Sequence, residues 1–305
     1  MQLRNSVRSR LKSFIPGFVL RGVRNAQTMI RRRELPETKR IFENAKLLPA
    51  YLAQRELELL EKRYPFRPGY GYDPRSTERR GIVRAKELLR LPRTSERNSY
   101  LELGCWDGMV CRHLQHAGKT TTAIDVRSDG FDERAQREGV KFILMDAEHL
   151  QFPEESFDFV FSYDSFEHFS RPDAVFHNAI KVLRKGGLLA LSFGPLYLSP
   201  YGQHAYRSIP VPYCHILFPP SVLNDFAAAR GLTPIDFGHV NGWTLGRYRD
   251  FWDECSSSAK RIRYTETPNL AHLDLIRMYP SCLRNKTAQF DDLVVETVDA
   301  VFEKV

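Results

Sequence analysis

Between residues 97 and 195 the chain alternates short apolar runs that end in polar clusters with segments whose apolar residues recur at helical spacing. The first run, YLEL, places Leu101 and Leu103 on either side of Glu102 as a strand. Gly104 and Gly108 then bracket a tight turn, and a helix opens at about Met109. A second strand spans 121–128 and carries Asp125 at its tip. A third, 140–150, carries Asp146, and a fourth, 157–169, ends in Asp164, Ser165, Glu167 and His168. The spacing predicts a helix over 172–185 closed by Lys185-Gly186-Gly187, then a fifth strand over 188–195. Downstream, 221–231 reads as a helix, 232–240 as a sixth strand, 247–290 as a mostly helical insertion and 292–305 as the last strand. Upstream, 35–64 reads as a helix or helix pair, 64–74 as a Pro/Gly/Tyr loop and 76–91 as a helix started at Ser76.

Apolar strands alternating with amphipathic helices imply a parallel sheet covered on both faces. Ligands of such sheets bind outside the carboxyl ends of the strands, where the polar clusters of this chain collect. Two glycines four apart let the backbone approach a ligand closely, and the helix start that follows offers unpaired N–H groups. Asp125, 21 residues after Gly104, is placed to accept hydrogen bonds from the two hydroxyls of a ribose. The order of these features is that of a nucleoside-cofactor fold.

ELGCWDG at 102–108, the acidic end of strand two, MDAEHLQFPEESFDFVFS at 145–162, FEHF at 166–169 and VLRKGGLLALSFGP at 182–195 together resemble the class I S-adenosylmethionine-dependent methyltransferases. The likeness is to the branch with Glu-His after strand four, and it spans about residues 97–195. It implies a Rossmann-like α/β fold: seven strands, mostly parallel, helices on both faces, an antiparallel last strand, and here a helical N-terminal extension. It also implies that S-adenosylmethionine is the cofactor. Glu102, Gly104 and Gly108 would shape its methionine and ribose pocket, Asp125 would hold the ribose, and Asp146 with Ala147 would meet the adenine edge. Cys105, Trp106, Val126 and Tyr163 complete the implied cofactor set. Trp106 stands where the family usually has the loop's middle glycine. Tyr70 and Tyr72 lie before strand one, where the family often covers the cofactor.

The 305 residues hold 42% apolar side chains and no run approaching the roughly 20 of a membrane span. Five cysteines (105, 111, 214, 255, 282), odd in number and without C-x-x-C spacing, argue for reduced thiols in a cytoplasmic setting. Cys105 and Cys111 read as small buried hydrophobes, and the spacing calls for no metal. The net charge of +8 is local: residues 1–33 hold nine Lys/Arg and no acid, leaving 36 basic and 37 acidic groups elsewhere. That distribution speaks against a nucleic-acid reader. Leu3, Val7, Leu11 and Phe14 recur at helical spacing until Pro16. Peripheral contact with an anionic membrane, an organellar transit peptide and a solvated arm all stay open for this segment. The expected division is a basic arm (1–33), a helical extension (34–95) and the catalytic domain (96–305).

The segment 196–220 is rich in proline and tyrosine and leaves the carboxyl end of a central strand, where functional loops lie. Its Tyr197, Tyr201, His204 and His215, with Glu167, are candidate acceptor-binding residues. His168 and His204 are the candidate general bases for an acceptor that loses a proton during attack. The Asn/Asp-Pro-Pro-Tyr/Phe motif of amino-methylating nucleic-acid enzymes is missing after strand four, which argues for an oxygen acceptor. FGPLYLSPYGQH at 193–204 resembles bacterial methyltransferases of surface-polysaccharide or glycolipid synthesis, which implies a hydroxyl of a sugar, glycolipid or other small molecule. An RNA- or protein-modifying methyltransferase and a non-catalytic protein of the same fold are the alternatives.

Overall fold

The computed structural model describes residues 31–64, 71–205 and 208–305. Five parallel strands form the frame: β1 (Ser99–Leu103), β2 (Thr120–Asp125), β3 (Lys141–Leu144), β4 (Phe157–Tyr163) and β5 (Leu183–Phe193). Strands β6 (Ala259–Pro268) and β7 (Val295–Lys304) complete a sheet of order β3-β2-β1-β4-β5-β7-β6. β7 runs antiparallel to both β5 and β6. β1 feeds β2 on one side and abuts β4 on the other, so the strand order reverses between β1 and β4 and opens a crevice at their carboxyl ends.

The period-2 alternation of the strands divides the core in two. Leu101, Val160, Leu189 and Leu191 face one side, with Val175, Phe176 and Ala179 of a helix at Pro172–Val182 and Tyr248 and Trp252 of one at Leu245–Glu254. Tyr100, Phe159, Phe161 and Leu188 face the other, against the helices α1 (Pro74–Leu89) and α2 (Met109–His116). α1 begins at Asp73 rather than at Ser76. The Asp73 carboxylate accepts the N–H groups of Arg75 and Ser76, both at 3.1 Å, and Pro74 supplies the first helical residue.

Several boundaries differ from the sequence reading. The helix at 172 ends at Val182, and Lys185-Gly186-Gly187 forms a bulge inside β5, where the pairing steps from Phe157↔Leu183 to Phe159↔Leu188. A Cβ at Gly187 would lie 2.8 Å from the Arg184 carbonyl oxygen, so the glycine pair serves the bulge instead of a helix stop. β3 ends at Leu144, and β4 ends at Tyr163 because Asp164 turns into the left-handed region at φ 49°. Residues 232–240 form loop and turns rather than a sixth strand; Ile235 and Phe237, two residues apart, imitate the alternation of one. The true sixth strand, β6, lies inside the segment expected to be helical. It is an exposed edge strand whose charged residues mask the strand pattern.

The described residues fall into two compact units, one of 31–50 with 269–290, the other taking the remainder from 51 to 268 with 291–305. The sheet belongs to the second. In the first, a helical stretch over 31–43 carries the fully buried Phe42, whose ring meets Phe290 edge-on at 5.7 Å. Arg277 binds Glu34 at 3.2 Å and Thr38 at 3.1 Å in the same unit. The basic segment, apart from residues 31–33, and Tyr70 lie outside the described residues. All five cysteines are free and buried. Among the described residues no helix is long and apolar enough to cross a membrane.

Candidate active site

β1 delivers Glu102 to the crevice and the chain then turns through three residues of positive φ: Gly104 (68°), Trp106 (46°) and Gly108 (67°). Gly104 has no room for a side chain, since a Cβ there would stand 2.6 Å from Ser165 Cβ and Oγ. Ser165 Oγ–H donates instead to the Gly104 carbonyl at 2.8 Å, tying the β1 loop to the end of β4. Trp106 takes the left-handed position by packing: a Cβ on Gly130 would come within 2.5 Å of its ring, the Arg127 guanidinium lies 4.8 Å from its ring centre, and Tyr72 meets it edge-on at 6.0 Å. The departure from glycine therefore leaves the turn intact and gives it an aromatic outer wall.

Asp125, at the tip of β2, fixes the same loop. Its carboxylate accepts the Trp106 N–H at 2.9 Å and the Arg127 N–H at 3.1 Å. The Cys105 N–H donates to the Ile124 carbonyl, and burial pushes the Cys105 thiol up. Asp146 caps a short turn at Ala147–His149 by accepting the Glu148 N–H at 2.8 Å, with Ala147 buried beneath. Val126 is exposed.

Glu102 is buried, and desolvation pushes its carboxyl up to about 8. Its Oε2 has no hydrogen-bond partner among the described residues. Such an acceptor costs free energy until a donor reaches it. Beside it stands Asp107, its carboxyl raised by burial, and Asp164 stands beside Glu167. Two arginines of α1 answer these acids: Arg84 pairs with Asp164, and Arg80 lies 3.7 Å from Asp107. Arg84 also lies 4.7 Å from the Tyr163 ring centre, while the Tyr163 hydroxyl donates to its backbone carbonyl. Arg79, Arg80, Arg84, Tyr163 and Ser192 line a cavity of about 370 Å³ at the carboxyl ends of β4 and β5. Sequence reasoning missed Arg80 and Arg84. Their signal was present: they are four apart and so share one face of the helix preceding β1.

The candidate bases gather on the same edge of the sheet. After β4, a single turn carries Glu167, buried with its carboxyl pushed up to about 8 by desolvation, and His168. His168 Nδ1 bonds the His239 carbonyl oxygen at 2.7 Å, and the His168 ring centre lies 4.9 Å from that of His204 and 4.4 Å from that of His239. His239 was not foreseen, because its segment read as a strand. Burial lowers His168 and takes His204 down to about 3, so neither readily becomes an imidazolium. His215 sits apart from this group in packing terms. It is buried, bonds the Tyr197 carbonyl at 2.6 Å, and is lowered to about 4 by burial, an internal strut of the 196–220 segment. Tyr197 meets the His215 ring at 5.1 Å, and Tyr201 accepts the His204 N–H on its carbonyl at 2.9 Å.

A family model described as a methyltransferase domain matches residues 101–191, which contain β1 through most of β5. A fatty-acid O-methyltransferase of Mycolicibacterium smegmatis is 32% identical over 117 residues, 36% of this chain and 43% of that protein. A methyltransferase of Streptomyces halstedii is 30% identical over 153 residues, 44% of this chain and 53% of its own. A ubiquinone biosynthesis O-methyltransferase of Hydrogenovibrio crunogenus is 29% identical over 115 residues, 35% and 46% respectively. The chain thus spans about half the length of the curated relatives it matches.

Proposed function

We propose that this chain, whose residues 101–191 match a methyltransferase-domain model and whose motifs resemble those of the class I S-adenosylmethionine-dependent enzymes, methylates an oxygen of a small molecule. The observation that carries this reading is the β1 turn, held by Asp125 over the crevice, with a buried Glu102 oxygen lacking a donor beside it. The residues fit S-adenosylmethionine. Glu102 would receive its ammonium group, Arg80 and Arg84 its carboxylate, Asp125 its ribose hydroxyls, and Asp146 with Ala147 its adenine edge. When bound, this cofactor supplies an electrophilic sulfonium methyl.

The chain's own work is alignment and removal of the acceptor's proton. Glu167, Tyr197 and Tyr201 belong to the segments facing that task, and the proton departs at the histidine group. His168 is the better of the two bases foreseen, because its Nδ1 is committed to the His239 carbonyl and its Nε2 keeps a lone pair. His204, driven down to about 3, binds a proton poorly. The curated O-methyltransferase relatives named above support oxygen as the acceptor atom. The acidless basic segment at 1–33 would let the enzyme meet an anionic membrane surface peripherally, near glycolipid or other lipid-borne acceptors.

Incubation with methyl-labelled S-adenosylmethionine and panels of fatty acids, phenols, sugars and glycolipids tests the proposal. Label should appear as an ether or ester of at least one class. Cofactor binding by calorimetry, with label found only on RNA or protein, would overturn it.

A further inference from the structure

His168, His204 and His239 each bring one ring nitrogen into a group whose nitrogens all lie within 4.8 Å of one another. Their ring centres are separated by 4.9, 4.4 and 5.7 Å. Three imidazoles on one tetrahedral ion, with metal–nitrogen bonds near 2.0–2.1 Å, put their ring centres about 5 Å apart. We propose that these three histidines form a binding site for a zinc-class divalent cation at the carboxyl edge of the sheet.

The frame that would hold the ion already exists. The three ligands come from three segments: the turn after β4, the turn at 201–204 and the turns at 236–241. Each segment is bonded to another. His168 Nδ1 takes the His239 carbonyl at 2.7 Å, and the Asn241 N–H donates to the Glu167 carbonyl at 2.9 Å. Asn241 Nδ2 donates to the Phe166 carbonyl at 3.1 Å, and Gln203 Nε2 donates to the Asp236 carbonyl at 2.7 Å. Gly202 is required in its turn, since a Cβ there would stand 2.1 Å from two backbone carbonyls. A histidine whose one nitrogen donates to a backbone carbonyl has its tautomer fixed and offers the other as a ligand, which is the usual support of metal-binding imidazole. Glu167 Oε1 lies 3.9 Å from His168 Nε2, so a further oxygen stands beside the group. His239 is exposed, which gives the ion a path in and leaves coordination positions open to water or to an acceptor.

Imidazole nitrogens select zinc-like ions over magnesium or calcium, which prefer oxygen. An ion bound through His168 Nε2 would take the place of that ring as base: it would lower the pKa of a hydroxyl placed on it, with the proton passing to solvent. That consequence rests on the methyl-transfer reading of this end of the sheet, but ion binding does not.

Equilibrium dialysis of the full chain against zinc chloride, followed by elemental analysis, tests the site. One zinc per chain is expected for the wild type, retained by His149→Ala, an exposed histidine elsewhere, and weakened at least tenfold in His239→Ala. His239→Ala should keep its affinity for S-adenosylmethionine by calorimetry, which establishes that the variant is folded. Zinc should also raise the thermal midpoint of the wild type and leave that of His239→Ala unmoved. No zinc on the wild type, or equal zinc on both histidine variants, overturns the proposal. Loss of methyl transfer with zinc binding intact would count against the methyl-transfer reading alone.

Discussion

At the scale of single residues, Glu102 couples stability to pH. Its carboxyl stands at about 8 in the folded chain against 4.5 for an ordinary glutamate, raised chiefly by desolvation. Between those two values the folded state binds more protons than the unfolded one. Stability is therefore highest below about pH 4.5 as far as this group is concerned, and falls as pH rises towards 8, by up to about 1.4 kcal/mol per pH unit. Glu102→Gln removes the titration. Denaturant unfolding of the ligand-free protein at pH 5 and pH 8 should show the variant gaining on the wild type at the higher pH, while its affinity for S-adenosylmethionine falls. Parallel pH dependences would mean the carboxyl is solvated. Asp125 makes the opposite prediction. Asp125→Ala deprives two loop N–H groups of their acceptor, besides the ribose contact proposed for this carboxylate. It should lose about 1–3 kcal/mol of stability and at least tenfold in cofactor affinity. Unchanged affinity in calorimetry would remove Asp125 from the cofactor set.

At the scale of elements, the join between the β1 turn and the end of β4 sets the shape of the site. Gly104→Ala would place its Cβ 2.6 Å from Ser165 Cβ, at a φ that strains any side chain. A loss of roughly 1–3 kcal/mol is expected from overpacking, with cofactor binding lost alongside. Adding Ser165→Gly removes the colliding atoms, so the double variant should unfold at higher denaturant than Gly104→Ala alone. If it does not, strain rather than collision governs the position. This join also marks how far the sequence could be read. Strands β1, β2 and β4 were legible because apolar runs there end in chemistry-bearing residues, and β5 and β7 because they are rich in apolar residues. β6 was hidden by Lys260, Arg261 and Arg263 on an exposed edge, and 232–240 imitated a strand because Ile235 and Phe237 stand two apart. Asp125 was singled out by its spacing after Gly104, whereas Glu102 was singled out by the resemblance. His239 was not: its closeness to His168 depends on hydrogen bonds between loops far apart in the chain, which no local pattern encodes.

At the scale of the whole molecule, charge is the informative property. The first 33 residues carry nine basic side chains and no acid, against a near balance elsewhere. Any attraction to a polyanionic surface should therefore reside in that segment. Each basic residue near an anionic bilayer contributes about 1 kcal/mol, and the contribution fades as salt shortens the Debye length. Replacing Arg4, Arg8, Arg10 and Lys12 by glutamine in the full chain leaves every residue of the sheet unchanged. Co-sedimentation with vesicles containing phosphatidylserine should then fall by two orders of magnitude or more at low salt, and cofactor affinity should not move. Wild-type binding should weaken steeply between low and physiological salt, and neutral vesicles should retain little of either protein. Equal sedimentation of both proteins would place the attraction elsewhere on the chain. No sedimentation of the wild type would leave the segment without a membrane role.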